Sequence, residues 1–122
     1  MVGPALFDTA ILIDFLNGMR EARREIDRYT DRAISLITWM EVMAGTKPDE
    51  EQVTALFLGT FVNLPVTDAV ARQAVRVRKL KKLKLPDAII LATAQVEKRI
   101  LVTRNTRDFK EDGVSVVTPY KL

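Results

Sequence analysis

The chain has 122 residues, of which 48% are hydrophobic and 29% charged, with a net charge of +3 and no cysteine or histidine. Without those two residue types it has no Ser-His-Asp triad, no Cys-His nucleophile and no zinc site built from imidazole or thiolate ligands. Its five scattered glycines form no phosphate-binding loop. This composition predicts one globular domain spanning residues 1–122, in which carboxylates carry any catalysis.

The sequence also bears on where the protein works. No stretch approaches the roughly 20 apolar residues of a membrane span. The N-terminal "MVGPALF" lacks the basic region and long apolar run of a secretory signal. A chain without cysteine needs no oxidising compartment. We therefore expect a soluble, cytoplasmic protein with no membrane partner.

Short β-type runs alternate with helical patterns along the chain. The β-type runs are residues 4–7, 33–38, 61–66, 100–103 and 114–117. The helical patterns are a stripe from Ile11 to Leu16 that Gly18 ends, followed by 20–30, 50–58, 67–83 and 87–98, with one further helix expected between the second β-type run and residue 50. This alternation predicts the α/β class, with three α/β/α layers and a mainly parallel central sheet of four to five strands.

Acidic side chains follow the ends of several predicted strands. Asp8 ends the first run, Glu41 comes three residues after the second, and Asp87 opens the last long helix. Asn105 and Asp108 follow the "ILVT" run. Because strand ends and helix starts of a parallel sheet meet along one edge, these side chains are expected to converge. Converging carboxylates repel one another, whereas Mg²⁺ or Mn²⁺ between them prefers oxygen ligands. The sequence therefore predicts a divalent-metal site at this edge.

The same acidic residues also have a purely structural interpretation. Asp8 and Asp87 can cap the helices that follow them, and Thr38 with Glu41 has the T-x-x-E spacing of a capping box. Cap positions in this architecture face the same edge, so one residue can be both a cap and a ligand. Asp14 lies off the apolar stripe and is predicted to be a solvated helix residue.

The segment 72–84, "RQAVRVRKLKKLK", contains basic residues and no acid. Such a run is most often a solvated helix face, but an unbalanced basic run also attracts polyanions such as phosphate backbones. It leads directly into Asp87, so a backbone held there would lie near the predicted metal site. The predicted backbone contacts are Arg72, Arg76, Lys79 and Lys82, with Arg104 as a further candidate.

Four stretches resemble the motifs of a known family. "LFDTAILIDFL" resembles the opening hydrophobic-Asp-Thr motif of PIN-domain proteins, and "SLITWMEVMAG" resembles their internal Glu motif. "LPDAIILATAQ" followed by "ILVTRNTRDF" resembles their C-terminal signature and is the most specific part. The match covers nearly the whole chain. Within the family, the sequence resembles in particular the VapC-type toxins of bacterial and archaeal toxin–antitoxin pairs.

The resemblance implies a PIN-like fold and a Mg²⁺-dependent endoribonuclease, with a homodimer as the usual toxin unit. It also implies an antitoxin partner whose C-terminal segment occupies the active-site groove. By the family pattern Asp8, Glu41 and Asp87 are metal ligands. Asn105 stands at the family's fourth acidic position, and Asp108, one helical turn further, can supply the missing carboxylate directly or through water.

The expected chemistry is attack on an RNA phosphodiester by a metal-activated water. Asn105 or Asp108 would complete or orient the ligand set. Thr9 and Thr103 are expected to hydrogen-bond the acidic ligands without contacting the metal themselves.

Three alternatives stay open. A PIN-like fold that has lost its chemistry, and only binds RNA or protein, is favoured by Asn105. A receiver-like signalling domain also gathers carboxylates and Mg²⁺ at the edge of a parallel sheet. It normally needs paired acidic residues near the first strand and a lysine after a late one, where this sequence has Thr9 and Arg104-Asn105. A DNA-directed nuclease would share the same metal site.

Overall fold

The protein was analysed as a computed structural model that describes residues 3–109 and 115–121, except for the side chains of Thr106 and Asp108. The strands within these residues are β1 Ala5–Phe7, β2 Arg32–Ser35, β3 Val62–Leu64, β4 Ile100–Val102 and β5 Val116–Val117. The helices are α1 Thr9–Leu16, α2 Arg20–Asp27, α3 Leu36–Ala44, α4 Glu51–Leu58, α5 Asp68–Lys81, α6 Leu85–Glu97 and α7 Thr106–Phe109. A single 3₁₀ turn, Pro48–Glu50, precedes α4. The first residue of the predicted run 114–117 lies outside the described residues.

The strands form one parallel sheet in the order β3-β2-β1-β4-β5. The predicted mainly parallel sheet of four to five strands is confirmed. The chain passes from β1 through β2 to β3 on one side, then returns to place β4 and β5 on the other side. The direction of winding therefore changes between β1 and β4, which is where open α/β sheets leave a crevice at the carboxyl ends of their strands.

Two apolar cores cover the two faces of the sheet, which confirms the predicted α/β/α layers. Leu6 and Leu101 point into a core shared with α5 and α6, whereas Phe7 and Val102 point into a core shared with α1, α2 and α4. The alternation follows from the two-residue period of a strand. Because both faces are covered, the exposed ends of the strands are the part of the sheet that can meet a ligand.

The second β-type run is shorter than predicted. β2 ends at Ser35, and α3 begins at the next residue because the Ser35 hydroxyl accepts a hydrogen bond from the N–H of Ile37 (3.2 Å). This serine is the N-cap of α3, so the Thr38–Glu41 capping box is wrong: both residues lie inside the helix. Glu41 therefore lies in the second turn of α3, six residues beyond the strand.

Helix ends elsewhere follow local chemistry. Gly18 follows α1 with φ +87°, a left-handed conformation that glycine adopts at low cost, as predicted. α6 begins earlier than predicted, with Lys84 as its N-cap and Pro86 in its first turn, where a missing N–H does no harm. Asp87 thus lies within the first turn of α6, and its assignment as the N-cap is wrong. In the described parts of the chain no helix combines the length and apolar character needed to cross a membrane.

Candidate metal and phosphodiester site

Asp8 lies at the carboxyl end of β1, beside the point where the sheet changes direction. Its backbone N–H donates to the carbonyl oxygen of Val102 in β4 (2.9 Å). It occupies the N-cap position of α1, but its carboxylate makes no capping hydrogen bond there. Instead Oδ2 accepts a hydrogen bond from the Thr103 hydroxyl (2.7 Å), and the residue is only 6% exposed. The predicted N-cap position is therefore confirmed, but the side chain makes no capping hydrogen bond and faces the crevice between β1 and β4.

The pKa of Asp8 shows which charges surround it. This pKa is raised to about 6, chiefly by burial and also by repulsion from the carboxylates of Asp87 and Glu41. The hydrogen bond from Thr103 and the backbone N–H of Thr9 oppose the rise. Asp87 on α6 and Glu41 on α3 are thus close enough to act on Asp8.

Glu41 is held beside this crevice by α1. Its Oε1 accepts a hydrogen bond from the Thr9 hydroxyl (2.7 Å), and that hydroxyl shares a second hydrogen bond with Thr38 Oγ1 (2.9 Å). Thr38 is fully buried and Thr9 nearly so, whereas Glu41 itself is exposed. The residue after Asp8 therefore orients the second carboxylate, and solvent or a ligand can still reach it.

The remaining predicted residues come from α6 and from the end of β4. Asp87 is half-buried in the first turn of α6, where the helix dipole favours a negative charge. Asn105 is half-buried, and its backbone N–H donates to the Thr103 hydroxyl (3.0 Å). The side chain of Asp108 lies outside the described residues, so its predicted role as a metal ligand stays a prediction.

The acidic side chains provide the oxygen donors that a hard cation needs, but they do not yet surround a single point. Within residues 3–109 and 115–121, no three acidic side chains form a group able to hold a metal ion as they stand. Asp8, Glu41 and Asp87 nevertheless supply only oxygen donors, which suit Mg²⁺ or Mn²⁺. Their mutual repulsion is a cost that a cation would relieve.

Asp14 is the residue that the sequence analysis placed wrongly. It is 6% exposed rather than solvated. Its Oδ2 accepts hydrogen bonds from Nε of Arg104 (2.8 Å) and from the hydroxyl of Tyr120 (2.7 Å). The spacing to Ile11, three residues earlier, puts Asp14 on the buried face of α1 and was the signal available in the sequence. No local sequence pattern pointed to Tyr120, whose hydrogen-bond partner Asp14 lies 106 residues away in the chain.

The residues predicted to contact phosphate differ in whether they already pair with another side chain of the protein. Arg72 pairs with Asp68 one turn earlier (2.8 Å), and Arg76 donates to the side chain of Gln73 (2.7 Å). Asp68 lies just before the segment 72–84, so the basic run is balanced at its start. The Arg72 pair is highly exposed and contributes little stability. Lys79 and Lys82 are exposed near the end of α5, next to the start of α6.

Comparison with known proteins gives one family and a set of similar structures. The model of the family described as PIN domain matches residues 5–112. A toxin–antitoxin complex from Klebsiella pneumoniae contains a chain with 51% sequence identity and a TM-score of 0.89, over 97% of this chain and 99% of that chain. A search of curated protein sequences finds no match.

Two more distant structures show the same fold. FitAcB from Neisseria gonorrhoeae has 24% identity and a TM-score of 0.81, over 97% of this chain and 99% of that chain. DNA-bound VapBC from Salmonella typhimurium has 21% identity and a TM-score of 0.79, over 95% of this chain and 98% of that chain. The sheet and its covering helices are therefore shared along nearly the whole length of these chains.

Proposed function

Since this chain belongs to the PIN domain family, we propose that it is an endoribonuclease that uses Mg²⁺, or Mn²⁺ in its place, and acts as the toxin of a toxin–antitoxin pair. The observation that carries the nuclease proposal is that Asp8 is held by Thr103 at the crevice between β1 and β4, where the carboxylates of Asp87 and Glu41 act on it. The similarity to the Klebsiella pneumoniae toxin–antitoxin complex supports the toxin assignment.

Each acidic residue has a defined part in this proposal. Asp8, Glu41 and Asp87 would hold the cation, with Thr103 fixing the Asp8 carboxylate and Thr9 fixing that of Glu41. A bound Mg²⁺ supplies a water of lowered pKa and stabilises charge on the phosphate. Either Asn105 or Asp108 would complete the ligand set.

The basic side chains would hold the RNA backbone beside these acids. Arg72, Arg76 and Lys79 lie along α5 and Lys82 follows as its C-cap, so the end of that helix leads within a few residues to Asp87. Phosphate contacts of this kind position the strand and do not read its sequence. The proposal therefore predicts salt-sensitive binding.

Cleavage of total cellular RNA tests the proposal directly. Wild type is expected to cut RNA with Mg²⁺ and to lose all activity with a chelator, and Asp87→Asn is expected to be inactive. Asp27→Asn, which removes the same charge from an exposed position on α2, is the matched control and should cut like wild type. Equal cleavage by wild type and Asp87→Asn rejects the proposal, and a parallel assay on DNA distinguishes a DNA-directed nuclease.

A second candidate function is binding of RNA or protein without chemistry. The lack of a ready-made three-acid group among the described side chains favours it, and so does the amide of Asn105 at the family's fourth acidic position. Mg²⁺-dependent stabilisation of the fold without any RNA turnover would support this candidate. The receiver-like alternative has no such support, because the family match is to the PIN domain.

A groove beside the acidic crevice suits the proposed antitoxin partner. It has a volume of about 480 Å³, with Ile13, Leu16 and Val42 among its apolar lining and Glu41 and Asp49 among its acids. An amphipathic segment with basic residues matches this lining. Leu16→Glu is expected to weaken binding of a synthetic amphipathic peptide that carries basic residues, whereas Val75→Glu on α5 should not.

The proposed homodimer has support from α3. Leu36, Trp39 and Met40 share one face of this helix at i, i+3 and i+4 spacing, and each is at least one-third exposed. Exposed apolar residues grouped in this way are typical of an interface. Light scattering is expected to give twice the monomer mass for wild type and the monomer mass for Trp39→Glu.

A further inference from the structure

We propose that Asp14 and Tyr120 are positioning residues, which hold the guanidinium of Arg104 beside Asp8 so that it contacts a phosphate of bound RNA. The inference rests on the endoribonuclease function proposed above. It assigns a part in the site to a helix residue and to a residue near the C-terminal end of the sequence, neither of which is an acidic ligand.

The first observation is the geometry of the trio Asp14, Arg104 and Tyr120. Nε of Arg104 donates to Oδ2 of Asp14 (2.8 Å), and Nη2 approaches Oδ1 (3.4 Å). The hydroxyl of Tyr120 donates to the same Oδ2 (2.7 Å). One edge of the planar guanidinium thus faces the carboxylate, so the opposite edge, which carries Nη1, points away from it.

The second observation is the place of Arg104 in the fold. It stands between Thr103, which donates to Asp8, and Asn105, whose N–H donates to Thr103. The loop after β4 is therefore tied to α1 at two points, Asp8 and Asp14. The side chain of Arg104 is 31% exposed, so an RNA phosphate can reach it. The hydrogen bond that Arg104 donates to Asp14 is the main cause that raises the pKa of Arg104, and the charge of Asp8 makes a smaller contribution.

The energetics favour a positioning role over a purely structural one. A buried ion pair gains little net stability, because the loss of hydration of its two charges offsets their attraction. The pair does remove rotamer freedom from a long side chain before RNA binds. A guanidinium fixed in this way loses less entropy when it contacts a phosphate, and it presents a two-donor edge that fits phosphate oxygens.

A matched control exists on α2, where Glu25 has the same kinds of partner. Glu25 is 4% exposed and accepts hydrogen bonds from Arg28 (2.9 Å) and Tyr29 (3.1 Å). This second trio contains none of the predicted site residues. Glu25→Gln and Asp14→Asn therefore remove the same kind of buried charge. Glu25 has no part in the proposed chemistry, whereas Asp14 contacts Arg104 of the proposed site.

The experiment measures binding of a labelled RNA fragment, chosen because wild type cleaves it, in chelator and at a temperature where every variant is folded. Arg104→Ala is expected to weaken binding about tenfold. Asp14→Asn is expected to weaken it severalfold, and Tyr120→Phe less, in the same direction. The double variant Asp14→Asn/Arg104→Ala should bind no more weakly than Arg104→Ala alone, because Asp14 acts through Arg104. Glu25→Gln should bind like wild type.

Two results would overturn the inference while the nuclease proposal stands. One is wild-type binding by Asp14→Asn while wild type cleaves RNA. The other is an additive loss in the double variant, which would mean that Asp14 acts independently. If Asp14→Asn does not fold, Tyr120→Phe and Arg104→Lys decide instead, and wild-type binding by both is the overturning result. Failure of wild type to bind or cleave any RNA overturns the nuclease proposal and this inference together.

Discussion

Asp8 and Asp14 lie six residues apart at the two ends of α1, and each is 6% exposed. Asp14 has a cationic partner and a phenol hydroxyl, Arg104 and Tyr120. Asp8 has one hydroxyl, from Thr103, and its pKa is raised by burial and by two other carboxylates. Burial alone therefore does not tell a carboxylate that could hold a cation from one that holds an arginine. The sign of the neighbouring charge does.

The contrast also explains how one short helix serves two purposes. The charge on Asp14 is balanced within the chain, which makes its surroundings rigid. The charge on Asp8 is left to be balanced from outside, by a cation or a proton. Variants at these two positions test the contrast most directly.

The largest expected difference is in RNA cleavage. Asp8→Asn should lower single-turnover cleavage by more than about 100-fold, because it removes a charge that holds the cation itself. Asp14→Asn should lower it only about tenfold, because that residue acts through Arg104. Losses of similar size in the two variants would show that the two carboxylates do not have separate roles.

The next difference is in stability, where the two variants should have opposite signs. In metal-free buffer at pH 7, Asp8→Asn is expected to be more stable than wild type by about 1–3 kcal/mol, because it removes a charge whose burial is unfavourable. Asp14→Asn is expected to be less stable by about 1–3 kcal/mol, because Arg104 loses its charged acceptor. Urea unfolding measures both, with the exposed Asp27→Asn as control, and a loss of stability in both variants would contradict the comparison.

The pH dependence should follow from Asp8. Its folded pKa, about 6, lies above the ordinary value of 3.8, so between these values the folded state binds more protons than the unfolded state. The resulting contribution to stability is fully present below the lower value and is lost as the pH rises through the higher one. The free energy of unfolding of wild type should thus fall relative to Asp8→Asn over this range. Parallel curves for the two proteins would be evidence against the raised pKa.

The smallest effect is expected at Thr103. Thr103→Val removes the hydroxyl that donates to Asp8 and accepts from Asn105, at a cost of about 1 kcal/mol in unfolding free energy. Because that hydroxyl opposes the rise in the pKa of Asp8, its loss should move the pH-dependent step upward. Thr54→Val, a buried threonine on α4, is the control, and it should leave the position of the step unchanged.

Part of the site could be predicted because it depends on the order of elements alone. Once strands alternate with helices, the positions after β1 and β4 and the start of α6 share one edge of a parallel sheet. That reasoning needed no knowledge of contacts, and it led to Asp8 and Asp87. The errors lay at boundaries, such as the end of β2, which comes three residues earlier than predicted because the hydroxyl of Ser35 caps α3.

The amino-acid sequence alone is enough to predict the parallel α/β/α fold, the edge at which polar residues gather, and the restriction to carboxylate chemistry that follows from having no cysteine or histidine. Which acids have their charge balanced depends on tertiary contacts. Asp14 is paired because residues 90 and 106 positions later are brought to it. A helical period shows the face on which a side chain lies, but it cannot show the charge that a distant segment places against that face.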